Sequence, residues 1–262
     1  MNQEYETRLP IFLKITVNLK KREAADLEVE WVITKIKMSQ NQDQYQYSSS
    51  RRRMTIITLG DPCVGKTCLI KRFCERRFEN RYIPTVGVDY GVKGVIVRSH
   101  EHEEQKETKK EDEVRIDFFD FSGDSDYNEV RNEFHQGKCC FDDKNDTGAI
   151  GVLLVFDATK RSTFDALPQW IIEAHKFLTM MISSNDLSKV DKNPIVLVAN
   201  KIDEEMPHRQ VSVGECKRFA ESNELLYYCE TSSKTGGGVD ETFERLIQVI
   251  HRQPGTELIA HL

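Results

Sequence analysis

The sequence predicts an α/β fold, with a mostly parallel six-stranded sheet that has helices on both faces. Apolar runs such as AIGVLLVFD (149–157) and PIVLVANK (194–201) lack polar alternation, as expected of strands buried on both faces. Helical stretches separate the runs, and strands that alternate with helices form doubly wound sheets. A glycine-rich loop directly follows the first run, and ligands bind at the carboxyl ends of the strands in such sheets.

The chain of 262 residues divides into three zones. Residues 1–50 are an N-terminal extension, residues 51–252 carry the dense alternation of strands and helices, and residues 253–262 form a short tail. The central zone contains two charged insertions, near 99–113 and 137–148. A single domain with surface insertions suits this length.

The extension has a pattern of its own. Apolar residues alternate with others over 11–19 and again over 27–33, which predicts two strands or a hairpin. A helix over 22–37 is the competing interpretation. Residues 38–50 are polar without periodicity and are expected to be a disordered linker. Met38 as the true start of the protein remains an open alternative.

In the central zone the elements follow one another in a regular order. The first strand is predicted at 54–60 and is followed by a helix near 66–76. Two adjacent strands flank the first charged insertion, which we interpret as a hairpin tip. The remaining predicted elements are strands at 87–98, 113–121, 149–157, 194–201 and 225–231, and helices near 162–182, 212–223 and 239–251.

Composition excludes several classes of function. A net charge of −6 and a pI near 5.7 argue against a nucleic-acid-binding surface. Seven scattered cysteines fit free thiols in a reducing compartment. The last residues contain no cysteine and residue 2 is asparagine, so we expect no direct lipid anchor. The expected location is cytoplasmic, with membranes reached only by recruitment and a nuclear presence left open.

The loop GDPCVGKT (60–67) matches the phosphate-binding pattern G-x-x-x-x-G-K-[ST] between a strand and a helix. Successive backbone N–H groups at a helix N-terminus can surround a phosphate, and two glycines allow the tight path. Its lysine can bridge the β- and γ-phosphates, and its threonine can offer a hydroxyl to Mg²⁺. The required context makes a chance match a poor explanation. The predicted nucleotide-binding residues here are Gly60, Asp61, Cys63, Val64, Gly65, Lys66, Thr67 and Cys68.

The motif NKID (200–203) follows another buried strand and indicates guanine as the base. The carboxylate of Asp203 can accept from both the N1–H and the exocyclic amine of guanine, a pair of donors that adenine lacks. Asn200 can tie the loop together, and Lys201 can lie along the base. The stretch ETSSK ends the next strand and can offer backbone N–H groups to the base carbonyl, through Thr231, Ser232, Ser233 and Lys234.

These motifs carry a resemblance to a known family. GDPCVGKTCL, YIPTVGVDY, DFSG, NKID and ETSSK occur over 51–252 in the order typical of small GTPases of the Ras superfamily, and the chain resembles its Rab-like branch. KRFCERRF, VDYGVK, EVRNEF and STFDAL resemble most closely the DnaJ-related Rab-like group, often called RJL. The His-Pro-Asp tripeptide of a J domain does not occur in the sequence. The resemblance implies a P-loop NTPase G domain that binds GTP or GDP with Mg²⁺.

The resemblance also implies roles for single residues. Thr85 would contact Mg²⁺ and the γ-phosphate in the GTP state, so that Thr67, Thr85 and Asp120 form the metal set. The N–H of Gly123 would contact the γ-phosphate. Phe78 would stack on the guanine edge, although a core position is the plainer interpretation of that side chain. Tyr82 would cover the phosphates.

Two segments would act as switches, residues 79–90 and residues 121–137. In the family these segments order around GTP and relax after hydrolysis. The expected partners are therefore effector and regulator proteins that bind the switches, and no nucleic acid is expected.

Asp124 departs from the family pattern. The family has glutamine directly after the glycine of D-x-x-G, where it orients the attacking water. A carboxylate about 4–5 Å from the γ-phosphate would be repelled by roughly 3–4 kcal/mol at an effective dielectric of 20. The sequence therefore predicts slow hydrolysis, with Lys66, Thr85 and Gly123 completing the expected catalytic set. Two further interpretations of Asp124 are a general base and an N-cap of the second-switch helix.

Three functions remain open on the sequence alone. The leading one is a GTP-binding switch with slow hydrolysis. The second is a pseudo-GTPase, a scaffold that stays loaded with GTP. The third is an adenine-specific ATPase or nucleotide kinase, which the NKID motif disfavours.

Overall fold

The structure is a computed structural model that describes most of the central zone. The predictions for the extension (1–50), the second insertion (137–148) and the tail (253–262) lie outside the described residues and stay predictions. The described residues are 52–103, 106–136, 149–181, 193–203 and 208–251.

A six-stranded sheet forms the centre of this region, as the apolar runs predict. The strand order is β2-β3-β1-β4-β5-β6. Only β2 and β3 pair antiparallel, and all other neighbours are parallel. The strands are β1 (Arg52–Leu59), β2 (Val88–Glu103), β3 (Lys106–Phe121), β4 (Ala149–Asp157), β5 (Ile195–Asn200) and β6 (Tyr227–Thr231).

Helices cover both faces of the sheet, and each face has its own core. The helices are α1 (Lys66–Glu75), α2 (Asn128–His135), α3 (Arg161–Asp165), α4 (Leu167–Met181), α5 (Val213–Ser222) and α6 (Val239–His251), with a 3-10 helix at Ser125–Tyr127 before α2. One core lies between the sheet and α2 to α5, and the other between the sheet and α1 with α6. The predicted mostly parallel α/β fold is confirmed.

No helix among the described ranges is both long enough and apolar enough to cross a bilayer.

The first charged insertion is not a loop. Strands β2 and β3 continue through residues 99–103 and 106–113 and stay paired as far as Glu103 and Lys106. Antiparallel pairing satisfies backbone N–H and C=O groups whatever the side chains are, so a polar sequence does not end the ladder. The predicted hairpin is therefore confirmed, but its strands are longer than the apolar pattern indicates.

The helical stretch predicted near 162–182 is confirmed as far as residue 181, but it is not one continuous helix. The structure has two helices there, α3 and α4, which are separated at Ala166. Pro168 explains the break, because it has no N–H to donate to the carbonyl of Phe164. Proline also disfavours helical geometry at the residue before it, Leu167.

The strand register brings the polar loops to one edge of the sheet. Thr58 near the end of β1 is paired with Asp120 near the end of β3. Asn200 at the end of β5 lies between Asp157 of β4 and Thr231 of β6. Parallel neighbours end at the same edge, so loops far apart in sequence become adjacent there.

Candidate functional site

The loop between β1 and α1 needs glycine at two positions. Gly60 has φ +138°, and a Cβ atom there would lie 2.0 Å from the carbonyl oxygen of Val155. Gly65 has φ +98°, and its Cβ would lie 2.3 Å from Nδ2 of Asn200. Both angles lie in a region that L side chains rarely adopt. The loop can therefore pass this close to β4 and β5 only with glycine.

Replacing Gly65 with alanine is expected to destabilise the protein by about 2–3 kcal/mol. The estimate combines about 1–2 kcal/mol for a positive φ with about 1 kcal/mol for displacing the Asn200 hydrogen bond to Val64. Urea unfolding measures the change. Gly214→Ala is the matched control, since its Cβ would meet only Arg218 NH1, at 3.5 Å. It lies in α5, where alanine should stabilise by up to about 1 kcal/mol. Equal effects at the two glycines would contradict the packing argument.

The loop curves around the ammonium of Lys66. Nζ of Lys66 donates to the carbonyl oxygens of Gly60, at 2.7 Å, and of Asp61, at 2.8 Å. Burial lowers the pKa of Lys66 to about 8, while Asp120 and Asp61 oppose that shift. A buried cation held by two carbonyls inside a loop of backbone N–H groups is suited to binding an anion.

Three threonine hydroxyls and one carboxylate meet in a cluster that includes Thr67 of the same loop. Oγ1 of Thr67 donates to Asp120 Oδ2 at 2.5 Å and lies 3.0 Å from Oγ1 of Thr85. The hydroxyl of Thr58 holds the other carboxylate oxygen at 2.8 Å. Burial raises the pKa of Asp120, while Lys66 and the threonine hydrogen bonds lower it. The structure thus brings together the three residues predicted as the metal set.

The residues of this oxygen cluster are of the types that hold Mg²⁺. Within the described ranges no three His, Cys, Asp or Glu side chains form a metal site. Mg²⁺ does not require such a cluster, because it is usually held by one or two carboxylates together with substrate phosphates and water. The Asp120 carboxylate and the hydroxyls of Thr67 and Thr85 are ligands of the type it prefers.

Asn200 joins three loops. Its Nδ2 donates to the carbonyl of Val64 at 2.9 Å. Its Oδ1 accepts from the hydroxyl of Thr231 and from both the N–H and the hydroxyl of Ser233, each at 3.2 Å. The prediction that Asn200 ties the loop together is confirmed. Its hydrogen bonds also reach the phosphate loop and the ETSSK loop.

Asp203 lies next to that junction. Its Oδ1 accepts from the hydroxyl of Ser232 at 2.6 Å, and Nζ of Lys234 lies 3.6 Å from its Oδ2. The ammonium of Lys201 is 2.7 Å from the buried carboxylate of Asp157, and the backbone of Lys201 has φ +65°. These contacts place Lys234 beside the Asp203 carboxylate and Lys201 beside Asp157 at the end of β4.

The first predicted switch presents one exposed aromatic side chain. Tyr82 is 59% exposed, whereas Phe78 is half-buried. The pKa of Tyr82 is raised to about 12 by partial burial, by a hydrogen bond to the Cys63 thiol and by the charge of Asp124. The role predicted for Tyr82, as a cover of the phosphates, stays a prediction.

The second predicted switch begins against the phosphate loop. A Cβ atom on Gly123 would lie 2.3 Å from the carbonyl oxygen of Gly60 and 2.5 Å from N of Pro62. The next residue, Asp124, is exposed and is the N-cap of the 3-10 helix, where its Oδ1 accepts from Asp126 N–H at 3.1 Å. The capping interpretation of Asp124 is confirmed for this 3-10 helix, whereas the N-cap of α2 itself is Tyr127, without a side-chain hydrogen bond.

Three further side chains also shape the site, although no motif gave them a role; Arg72 lies within KRFCERRF and Arg131 within EVRNEF. Arg72 of α1 donates to the carbonyls of Ser233, at 2.9 Å, and Lys234, at 2.5 Å. The indole N–H of Trp170 donates to Asp61 Oδ1 at 2.7 Å. The third is Arg131 of α2, which contacts the start of the second switch. No local pattern could reveal these residues, because their partners are distant in the sequence or are backbone atoms.

Comparisons with known proteins agree with this geometry. The Ras family model matches residues 55–252. The chain is similar to DnaJ homolog subfamily C member 27 of Gallus gallus, 35% identical over 81% of this chain and 67% of the relative. The Homo sapiens protein of the same name is 37% identical over 73% of this chain and 59% of the relative. DnaJ homolog subfamily C member 27-A of Xenopus laevis is 33% identical over 81% of this chain and 67% of the relative.

The chain thus spans about three fifths to two thirds of the length of these relatives. Their names support the predicted resemblance to the DnaJ-related Rab-like group. The family match covers the 60–67 loop, both predicted switches and the NKID and ETSSK loops. The chain belongs to the Ras family of small, guanine-nucleotide-binding GTPases.

Proposed function

We propose that this protein is a molecular switch that binds GTP and GDP together with Mg²⁺ and hydrolyses GTP slowly. The observation that carries the proposal is the junction at Asn200, whose side chain hydrogen-bonds both to Val64 of the phosphate loop and to Ser233 of the ETSSK loop. A single side chain thus ties the loops proposed for the phosphates to those proposed for the base.

The phosphates are expected to bind where the 60–67 loop meets α1. Backbone N–H groups of the loop and the N-terminus of α1 favour negative charge there, and Lys66 adds a buried cation. Thr67, Thr85 and Asp120 would hold Mg²⁺, which neutralises charge on the β- and γ-phosphates when bound. These residues would orient the triphosphate.

The base is expected to bind against the NKID loop. Asp203 offers an acceptor pair to the donor edge of guanine, and Ser232 and Lys234 already orient that carboxylate. Adenine would leave this acceptor pair unsatisfied, which typically costs a few kcal/mol when such groups are buried. Selectivity for guanine over adenine follows from this arrangement.

Hydrolysis is proposed to be slow because of Asp124. Its carboxylate is occupied by the N–H of Asp126 and caps the 3-10 helix, instead of orienting water with an amide. Losing one positioned catalytic group typically costs about 10²–10³ in rate. The same observation supports the second candidate, a scaffold that remains loaded with GTP.

Effector and regulator proteins are the proposed partners, through the switch segments 79–90 and 121–137. Tyr82 and Ile83, 59% and 39% exposed, offer apolar surface on the first of these segments. The proposed location is the cytoplasm, with membranes reached by recruitment.

Identification of the nucleotide that co-purifies with the protein tests the proposal. We expect GDP or GTP, which excess ATP should not displace. Removing Mg²⁺ with EDTA should speed nucleotide release by about tenfold or more, as expected when one metal interaction worth about 1.4 kcal/mol is lost. In Thr67→Ala this effect of EDTA should largely vanish. ATP binding as tight as GTP binding would overturn the assignment in favour of an ATPase.

A further inference from the structure

The peptide group between Ser122 and Gly123 occupies a critical position. Its N–H belongs to Gly123, the residue proposed to contact the γ-phosphate, and its carbonyl belongs to Ser122. In a planar trans peptide the C=O and N–H bonds point in opposite directions. Whatever holds the carbonyl of Ser122 therefore also sets the direction of the Gly123 N–H.

Arg131 holds that carbonyl. Its NH1 donates to the carbonyl of Ser122 at 2.6 Å and to the carbonyl of Asp124 at 3.1 Å. The guanidinium thus binds the backbone on both sides of Gly123. The N–H of Ser122 is held as well, by the carbonyl of Gly87 at 2.9 Å. The segment is fixed from the α2 side by Arg131 and from the β2 side by Gly87.

Arg131 is itself held in place. It is 3% exposed, and its NH2 donates to Oδ1 of Asn128. Its Nε lies 3.8 Å from the Glu173 carboxylate, and its guanidinium lies over the ring of Trp170, 5.2 Å from the ring centroid. The indole N–H of Trp170 in turn donates to Asp61 of the phosphate loop. A planar, buried guanidinium with this many partners has little freedom to move.

We propose that Arg131 is a positioning residue for γ-phosphate binding. It orients the Ser122–Gly123 peptide so that the N–H of Gly123 can donate to the γ-phosphate. This inference rests on the proposed function and adds a specific consequence. GDP has no γ-phosphate, so the contribution of Arg131 falls on GTP alone. Arg72 also binds two loop carbonyls, but they belong to the ETSSK loop, which is proposed to bind the base. Arg72 should therefore contribute equally to the affinity for GTP and for GDP.

The test compares affinities for GDP and for a GTP analogue with a β,γ-imido bridge, both with Mg²⁺. Arg131→Ala is expected to weaken analogue binding about tenfold relative to GDP binding, the size typical of one lost hydrogen bond to a charged group. Arg131→Lys keeps the charge opposite Glu173 but not the planar fork, so a smaller shift in the same ratio is expected. The matched control, Arg72→Ala, should weaken both ligands by the same factor.

A ratio of affinities separates positioning from general support of the fold, because a merely structural defect would weaken both ligands. An unchanged ratio in folded Arg131→Ala, or a ratio shift as large in Arg72→Ala, overturns the inference. If Arg131→Ala does not fold, Arg131→Lys decides by the same criterion. Failure of the wild-type protein to bind either nucleotide would instead refute the proposed function itself.

Discussion

Replacing Asp203 with asparagine is expected to lower the affinity for GTP and GDP by about 10²–10³-fold. The substitution keeps the shape of the side chain but puts an amide donor where guanine presents donors. Two hydrogen bonds to a charged acceptor contribute about 3–4 kcal/mol together, which corresponds to this change in Kd. Ser232 and Lys234 hold the carboxylate in position, so no reorganisation reduces the loss.

Competition binding with labelled GDP measures the effect. Asp165→Asn is a suitable control, because Asp165 is an exposed carboxylate in an ion pair with Arg161, 2.8 Å away, on the short helix α3. That variant should bind GDP as the wild type does. An Asp203→Asn variant that retained full guanine affinity would show that the base binds elsewhere.

Replacing Asp124 with glutamine is expected to raise the single-turnover rate of GTP hydrolysis by about 10–100-fold. Glutamine restores an amide that can orient the attacking water and removes a negative charge from the vicinity of the γ-phosphate. The gain in rate is expected to stay below the factor of about 10²–10³ that is typical of one positioned catalytic group. The reason is that the 3-10 helix would lose the cap that now fixes its start.

The Asp124→Asn variant separates the effect of the negative charge from the effect of side-chain length. Asparagine is as good an N-cap as aspartate and keeps the bond to Asp126 N–H, but it carries no charge and is shorter than glutamine. A rate increase in both variants would point to charge repulsion as the main defect, and an increase with glutamine alone would point to water positioning. A slower glutamine variant would contradict the proposal and favour a general base. No hydrolysis in any of the three proteins would favour the GTP-loaded scaffold.

Two parts of the site were predictable from local chain geometry, whereas the metal set of Thr67, Thr85 and Asp120 rested on the family resemblance. The 60–67 loop is contiguous, and glycine, lysine and threonine act there within a few residues of one another. The strands were recognisable because parallel strands buried on both faces are apolar throughout. The Asp124 cap was predictable for the same reason, since a cap bonds to a backbone N–H only two residues away.

Two elements of the fold show the limits of prediction from sequence patterns. The charged stretch at 99–113 hid the continuation of β2 and β3, because backbone pairing there does not depend on burial of side chains. The break between α3 and α4 follows from one missing N–H at Pro168, which hydrophobic periodicity does not record. In both cases the backbone hydrogen bonds decided the outcome.

The sequence by itself determined the fold class, the order of the motifs and the residue types available for phosphate, metal and base. Only the tertiary structure decided how they are held together. Arg72 reaches a carbonyl 161 residues away, and Trp170 reaches a carboxylate 109 residues away. Arg131 acts through the carbonyl of Ser122, a backbone atom that every residue possesses. The contacts of Arg72 and Arg131 leave no sequence signature, because side chains that bind main-chain carbonyls place no requirement on the identity of their partners. The contact of Trp170 leaves none because its partner is so distant along the chain.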